Sequence, residues 1–95
     1  EGYYASVIYS YFAGCGVELI AEDVTNFGRI DLTLKIKDNI YIVEFKMGKN
    51  NGIKQIKDRK YHLKYLSSKK NIYIVGISFD EAERNIGSFE WEKIE

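Results

Sequence analysis

Two charged residues continue a row of residues that begins as the apolar face of a strand. Ile40 and Ile42 alternate along the chain with Glu44 and Lys46, and residues two apart on a strand project to the same face. A carboxylate and an ammonium group on a buried face lower stability unless they have partners or a function. The row therefore indicates either a structural ion-pair cluster or residues that perform chemistry.

The preceding strand supplies a second carboxylate. Asp31 lies in a segment, residues 30–37, whose apolar and polar residues alternate. If the loop between the two strands has an even number of residues, as with Lys37 and Asp38, then Asp31 stands opposite Glu44 and both project to one face. A loop of odd length would place the two carboxylates on opposite faces. The register of this hairpin therefore decides whether the acids converge.

Two converging carboxylates ionise together only when a cation lies between them. Two carboxylates and a main-chain carbonyl suit Mg²⁺ or Mn²⁺, which are hard ions that keep several waters. A zinc site is disfavoured because the chain has one Cys and one His. Since a divalent ion lowers the pKa of water and Lys46 can orient that water, these residues favour hydrolysis of a phosphodiester. A structural salt-bridge cluster is the alternative.

The elements that must position these residues follow from the hydrophobic pattern. Helical spacing predicts one helix over residues 2–12 and a second over 53–66 whose buried face carries Ile53, Ile56, Leu63 and Leu66. Strands are predicted over 17–23, 30–37, 40–46 and 71–79, with loop at 48–52, a helical turn at 80–85 and an edge strand at 88–94. A hairpin is antiparallel and a strand–helix–strand crossover is usually parallel, so the order αβββαβ plus a final strand predicts an α/β sandwich with a mixed sheet.

Length and composition indicate one domain. The chain has 95 residues, of which 45% are hydrophobic and 15% aromatic, which suits a single folded core and excludes a disordered chain. No apolar run reaches the roughly 20 residues that a membrane span needs. Because Cys15 stands alone and the chain begins at Glu1 rather than Met, we expect a cytoplasmic domain that is a fragment of a longer protein.

The middle of the chain is basic although the total charge is zero. Residues 46–70 contain nine Lys and Arg and one acidic residue, whereas the flanking segments are acidic. Cations on one accessible face can contact nucleic-acid phosphates, and Tyr61 and Tyr65 could stack on bases. The alternatives are a solvated lysine-rich helix and tyrosines that pack against the sheet. The candidate phosphate contacts are Lys54, Lys57, Arg59, Lys60 and Lys64.

Three short segments resemble a known family. Gly28-Arg29-Ile30-Asp31, then Val43-Glu44-Phe45-Lys46, then Gln55 on the next helix resemble the GRxD, ExK and Q motifs of the PD-(D/E)XK nuclease superfamily. Residues 1–12, 22–32 and 89–93 look like the form of this domain found at the C-terminal end of bacterial proteins with an AAA-ATPase-like N-terminal region. The resemblance implies a restriction-endonuclease-like α/β/α sandwich with a central mixed sheet. It also implies Mg²⁺- or Mn²⁺-dependent hydrolysis of nucleic acid, with DNA as the expected substrate.

The same resemblance implies a role for each matching residue. Asp31 and Glu44 match the two acids that share a metal ion, and Phe45 would add its main-chain carbonyl. Lys46 matches the lysine that positions the attacking water. Glu1 matches an acid on the first helix that holds a second ion or a water on the metal.

The second helix supplies the last matching residue, Gln55, which would orient the water or a phosphate. Family nucleases are commonly longer, so we expect a homodimer or an ATPase-like domain to help grip the substrate. One alternative is a non-catalytic module of the same fold that binds nucleic acid or protein. Another is a structural regulator packed against an ATPase-like partner.

Overall fold

A mixed five-stranded sheet forms the centre of the protein. The computed structural model describes residues 10, 14, 16–47, 52–80 and 85–94. The strands are β1 (Glu18–Thr25), β2 (Gly28–Ile36), β3 (Asn39–Met47), β4 (Asn71–Asp80) and β5 (Asn85–Lys93), in the spatial order β1-β2-β3-β4-β5. The β3–β4 pair is parallel and the other pairs are antiparallel. The mixed sheet and the final edge strand are therefore confirmed.

Two helical segments join the parallel strands. Helix α1 (Gly52–Arg59) is followed by a 3₁₀-helix (Tyr61–Ser68). Among the described residues, the helices are too short and too polar to span a bilayer. The predicted first helix lies outside the described residues except for Ser10, and so do residues 48–51 of the predicted loop and 81–84 of the predicted turn.

Apolar side chains are buried on both faces of the sheet. One layer packs the sheet against α1 and the 3₁₀-helix, and it comprises Ile30, Ile40, Ile42, Ile53, Ile56, Tyr61, Tyr65, Ile72 and Ile74. The other layer comprises Leu32, Leu34, Val43, Phe45, Val75 and Phe79. Because strand β3 contributes alternate residues to the two layers, its even-numbered side chains, including those of Glu44 and Lys46, project toward the α1 face.

The prediction of one continuous helix over 53–66 is wrong. Helix α1 ends at Arg59, and Lys60 adopts a left-handed conformation with φ of 57° before the 3₁₀-helix begins. A 3₁₀-helix has about three residues per turn, so the buried face changes after this break. Leu63 and Leu66, predicted to be buried, are 41% and 40% exposed.

The same break places two tyrosines in the core. Tyr61 and Tyr65 are buried and pack in the layer between the helices and the sheet. Of the two alternatives drawn from the sequence, packing against the sheet is therefore what the structure has. Burial of both rings also leaves neither of them accessible for stacking on a base.

A buried carboxylate fastens the 3₁₀-helix to β1. Asp23 is 3% exposed. It accepts hydrogen bonds from the Thr33 hydroxyl at 2.8 Å, from the Tyr65 hydroxyl and from the Lys64 ammonium. Burial alone would raise the pKa of Asp23, but these hydrogen bonds outweigh it, and the pKa is lowered. All three donors are satisfied by this one carboxylate, which gives the cluster a structural role.

Two glycines allow α1 to lie close to the sheet beneath Glu44. Gly76 on β4 is the register partner of Glu44. A Cβ at Gly76 would lie 3.0 Å from the main-chain nitrogen of Ile53, and a Cβ at Gly52 would lie 3.1 Å from the carbonyl oxygen of Glu44. Main-chain atoms cannot rotate away from such a contact, so a side chain at either position would displace the start of the helix.

We expect Gly76→Ala to destabilise the fold by about 1–3 kcal/mol, which is the usual cost of overpacking a close contact. The shift in urea midpoint at constant slope measures this cost. Gly87→Ala is the matched control on β5, because its added Cβ meets only ordinary contacts of 3.5 Å or more. Equal midpoints for the two variants would contradict the proposed tight packing of α1.

Candidate active site

The hairpin of β2 and β3 has the predicted register. Lys37 and Asp38 form its two-residue turn, and the paired residues run from Ile36 opposite Asn39 to Leu32 opposite Val43. Lys37 takes a positive φ of 54°, as two-residue hairpin turns require. An even-length loop was the condition for bringing the two acids to one face, and this condition is met.

Asp31 reaches β3 through its side chain where the paired ladder stops. Its Oδ2 accepts a hydrogen bond of 2.8 Å from the main-chain N–H of Phe45. The Asp31 carboxylate and the Asp31 main-chain amide both interact with the carboxyl group of Glu44. Asp31 therefore does not sit in a regular cross-strand pair, but its carboxylate does meet that of Glu44.

Glu44 is a buried acid with an unsatisfied oxygen. Its side chain is 1% exposed, and its Oε1 has no hydrogen-bond partner in the described part of the chain. The pKa of Glu44 is raised to about 9, chiefly by burial and further by the nearby Asp31 carboxylate, whereas the charge of Lys46 opposes the rise. Near neutral pH the metal-free carboxyl group therefore retains a proton.

Lys46 and Phe45 lie beside this pair. Lys46 is half-buried on the same face of β3 as Glu44, and its charge acts on that carboxyl group. Phe45 has a fully buried side chain in the opposite layer, so only its main chain can take part in the site. The three consecutive residues thus present an acid, a peptide group and an ammonium group at one place.

Two predicted site residues remain, of which the structure describes Gln55 but not Glu1. Gln55 is half-buried in the first turns of α1, the helix whose Gly52 lies against the main chain of Glu44. Gln55 therefore lies one helical turn beyond the residue of α1 that approaches Glu44. Glu1, the predicted ligand of a second ion, lies outside the described residues.

The described residues contain no group of three or more His, Cys, Asp and Glu side chains arranged to hold a metal. The candidate donors are instead the carboxylates of Asp31 and Glu44, with the main-chain carbonyl of Phe45 as a further oxygen. An all-oxygen set of this size suits Mg²⁺ or Mn²⁺, which keep waters for the remaining positions. The unsatisfied Oε1 of Glu44 gives a cation a reason to bind there, because an unpaired buried acceptor is unfavourable.

The predicted phosphate contacts are partly engaged within the protein. Arg59 and Lys60 are exposed. The other three cations contact carboxylates: Lys54 with Asp58 at 2.7 Å, Lys57 with Glu92 at 2.7 Å, and Lys64 with Asp23. Lys54 and Lys57 are still largely exposed, and exposed pairs of this kind are weak. Lys64 differs from them because its partner, Asp23, is buried.

Sequence reasoning missed three residues that shape the site and its surroundings. Asp23 gave no local signal, because its partners Thr33 and Tyr65 are ten and 42 residues away. The sequence pattern predicts Gly52 in a loop, whereas it is the first residue of α1. Gly76, an isolated glycine within a strand pattern, did carry a signal, since such a glycine often marks a close approach of main chains.

The chain is similar to known proteins over nearly all of its length. A family model described as the PD-(D/E)XK nuclease superfamily matches residues 1–89. A protein of Azotobacter chroococcum mcd 1, named "Uncharacterized protein in vnfD 5'region", is 37% identical over 98 residues. That alignment covers 99% of this chain and 19% of the relative, so the chain spans about a fifth of the relative's length.

Proposed function

Because this chain belongs to the PD-(D/E)XK nuclease superfamily, we propose that it is a metal-dependent nuclease domain that hydrolyses phosphodiester bonds of nucleic acid, with DNA as the expected substrate. One observation carries the proposal. The buried Oε1 of Glu44 has no partner in the described part of the chain although it lies beside the Asp31 carboxylate and near the Lys46 charge. A purely structural ion pair would be expected to satisfy that oxygen.

The donor set fits a hard divalent cation. Asp31 and Glu44 would hold Mg²⁺ or Mn²⁺, and the carbonyl of Phe45 would add a third oxygen. When bound, the ion supplies Lewis acidity toward the phosphate and lowers the pKa of water. We expect these carboxylates to bind soft metals poorly, because the described site offers neither thiolate nor imidazole.

The other side chains would orient the reactants. The Lys46 ammonium donates hydrogen bonds and would hold the attacking water in line with the scissile bond, while its charge offsets that of the phosphate. The Gln55 amide, on the helix that begins against Glu44, would orient the water or a non-bridging phosphate oxygen. Arg59 and Lys60 would attract the polyanion at longer range.

The additional surface needed to bind a duplex is proposed to come from outside this chain. The chain spans about a fifth of its Azotobacter relative, and a longer protein can add the surface that a duplex needs. A homodimer or an ATPase-like domain is the predicted source. The size of a purified full-length protein measured by light scattering tests the dimer directly.

The proposed activity is tested with purified protein on linear and circular DNA, with Mg²⁺, with Mn²⁺ and with EDTA. We expect cleavage that requires the divalent ion. Cleavage of the circular DNA would identify an endonuclease, and parallel reactions with RNA would define the sugar preference. DNA that is bound but never cut, together with no divalent-ion binding, would contradict the proposal and favour the non-catalytic module.

Binding of Mg²⁺ or Mn²⁺ at pH 7 is expected to release close to one proton per chain. The metal-free Glu44 is protonated because its pKa is raised to about 9, and a carboxylate must lose its proton to ligate the ion. Calorimetric titrations in Pipes and in Tris, whose ionisation enthalpies differ, measure the released protons. The Glu44→Gln variant is the control and should release none. Binding with no proton release would contradict ligation by Glu44.

A further inference from the structure

A cavity of about 410 Å³ lies apart from the acidic residues. It opens between the turn that joins β1 to β2 and the 3₁₀-helix, and it is lined by Val24, Thr25, Asn26, Phe27, Leu63 and Lys64. Its apolar walls are exposed to an unusual degree, with Val24 at 66%, Phe27 at 50% and Leu63 at 41%. Grouped exposed apolar side chains of this kind mark a binding surface.

The walls of the cavity are held in place. The Thr25 hydroxyl donates to the carbonyl of Gly28 at 2.8 Å and accepts from the main-chain N–H of Phe27 at 3.0 Å. On the opposite side, the Lys64 ammonium donates to the carbonyl of Val24 at 2.7 Å. A ligand would therefore meet a preformed site and lose little affinity to ordering the protein.

The lining of the cavity does not repel an anion. Lys64 places an ammonium group on one wall, where it donates to Asp23 and to the carbonyl of Val24. No acidic side chain is among the described residues that line the cavity.

The cavity and the acids lie along the same strand. Gly28 follows the turn that forms one wall, and Asp31 is three residues further along β2. Three residues of strand span roughly 10 Å. A nucleic-acid strand with a phosphate at Asp31 would therefore bring a neighbouring base within reach of Phe27.

We propose that this cavity binds an unpaired base of the nucleic acid cut at the acidic site, so that the preferred substrate is single-stranded or locally unpaired. The identity of this ligand rests on the proposed nuclease function. Phe27 supplies a stacking surface for the base, and the Asn26 amide is the polar group of the wall that would meet the edge of the base. A base within a duplex is stacked on both sides and cannot enter.

The test compares two labelled 12-nucleotide strands, (dT)₁₂ and an abasic strand with the same phosphates, by fluorescence anisotropy in EDTA. We expect Phe27→Ala to weaken (dT)₁₂ binding on the order of tenfold and to leave abasic-strand binding unchanged. Phe89→Ala is the matched control, because Phe89 is 59% exposed and lies on β5. Leu63→Ala tests the opposite wall of the cavity and should also weaken (dT)₁₂ binding selectively. Leu66→Ala is its control, because Leu66 is equally exposed but does not line the cavity.

Equal affinity of wild type and Phe27→Ala for (dT)₁₂ would overturn the proposal and leave a protein partner as the occupant. Equal weakening for both strands would also overturn it, because the effect would then not depend on a base. The outcome is separable from the nuclease assay. If Phe27→Ala selectively loses (dT)₁₂ binding but the wild type never cuts, the base-binding cavity is supported and the nuclease function is contradicted. If the wild type cuts with Mg²⁺ but Phe27→Ala binds (dT)₁₂ normally, the nuclease function is supported and the base-binding cavity is contradicted.

Discussion

Lys46→Ala is expected to lower Mg²⁺-dependent cleavage by 100-fold or more, the usual effect of losing a group that handles a proton or water in the reaction. The ammonium group stands beside the two acids and offsets negative charge there. Its removal takes away a donor for the attacking water but no ligand of the ion. Cleavage should therefore be lost while Mg²⁺ binding persists, and initial rates and calorimetry on the same preparation measure the two properties.

Lys37→Ala is the matched control for this experiment. Lys37 lies in the turn of the same hairpin, at the opposite end of the paired strands from the acids. We expect this variant to cut at the wild-type rate. Wild-type cleavage by Lys46→Ala would refute the role of Lys46, and joint loss of cleavage and Mg²⁺ binding would show that its role is structural.

Glu44→Gln is expected to abolish cleavage and at the same time stabilise the metal-free fold. The carboxyl group of Glu44 has a raised pKa of about 9 in the folded protein, compared with an ordinary value of 4.5. The unfolded chain therefore loses this proton at lower pH than the folded one. The free energy of unfolding falls as pH rises between these two values, by at most about 1.4 kcal/mol per pH unit.

A neutral glutamine removes this dependence. Near pH 4.5 the variant and the wild type should have similar stability, and at pH 7 the variant should be more stable by an amount on the order of 3 kcal/mol. Urea denaturation in EDTA at several pH values measures the difference, with the exposed Glu90→Gln as control. Parallel pH profiles for Glu44→Gln and wild type would contradict a protonated Glu44 in the metal-free protein.

The part of the site that was predictable from sequence is the part specified by local rules. Alternation predicted the faces of β3, and the two-residue turn predicted its register with β2. On β2 the predicted single buried face is wrong at its start, because Ile30 packs in the layer under the helices whereas Leu32 and Leu34 pack in the opposite layer. Glu44 was conspicuous because it interrupts an apolar row. The side-chain bond from Asp31 to the Phe45 main chain was not predictable, since it depends on where the paired ladder stops.

The features that sequence reasoning missed depend on distant contacts. Nothing near Lys60 signals a left-handed residue, because glycine or asparagine is the usual sign of that conformation. The break lets Tyr65 reach Asp23 across 42 positions of the chain, and it displaces Leu63 and Leu66 to the surface. Tertiary packing thus overrode a regular helical pattern.

The ion pairs on the helical segments have a consequence for association with a polyanion. A lysine that already neighbours a carboxylate contributes less to the displacement of small cations condensed on nucleic acid, and Lys54, Lys57 and Lys64 are in that position. The dependence of affinity on ionic strength reflects how many phosphates a protein neutralises. We therefore expect the affinity of this surface for nucleic acid to depend only weakly on salt concentration. The dependence should correspond to about two neutralised phosphates, one each for Arg59 and Lys60, rather than to five.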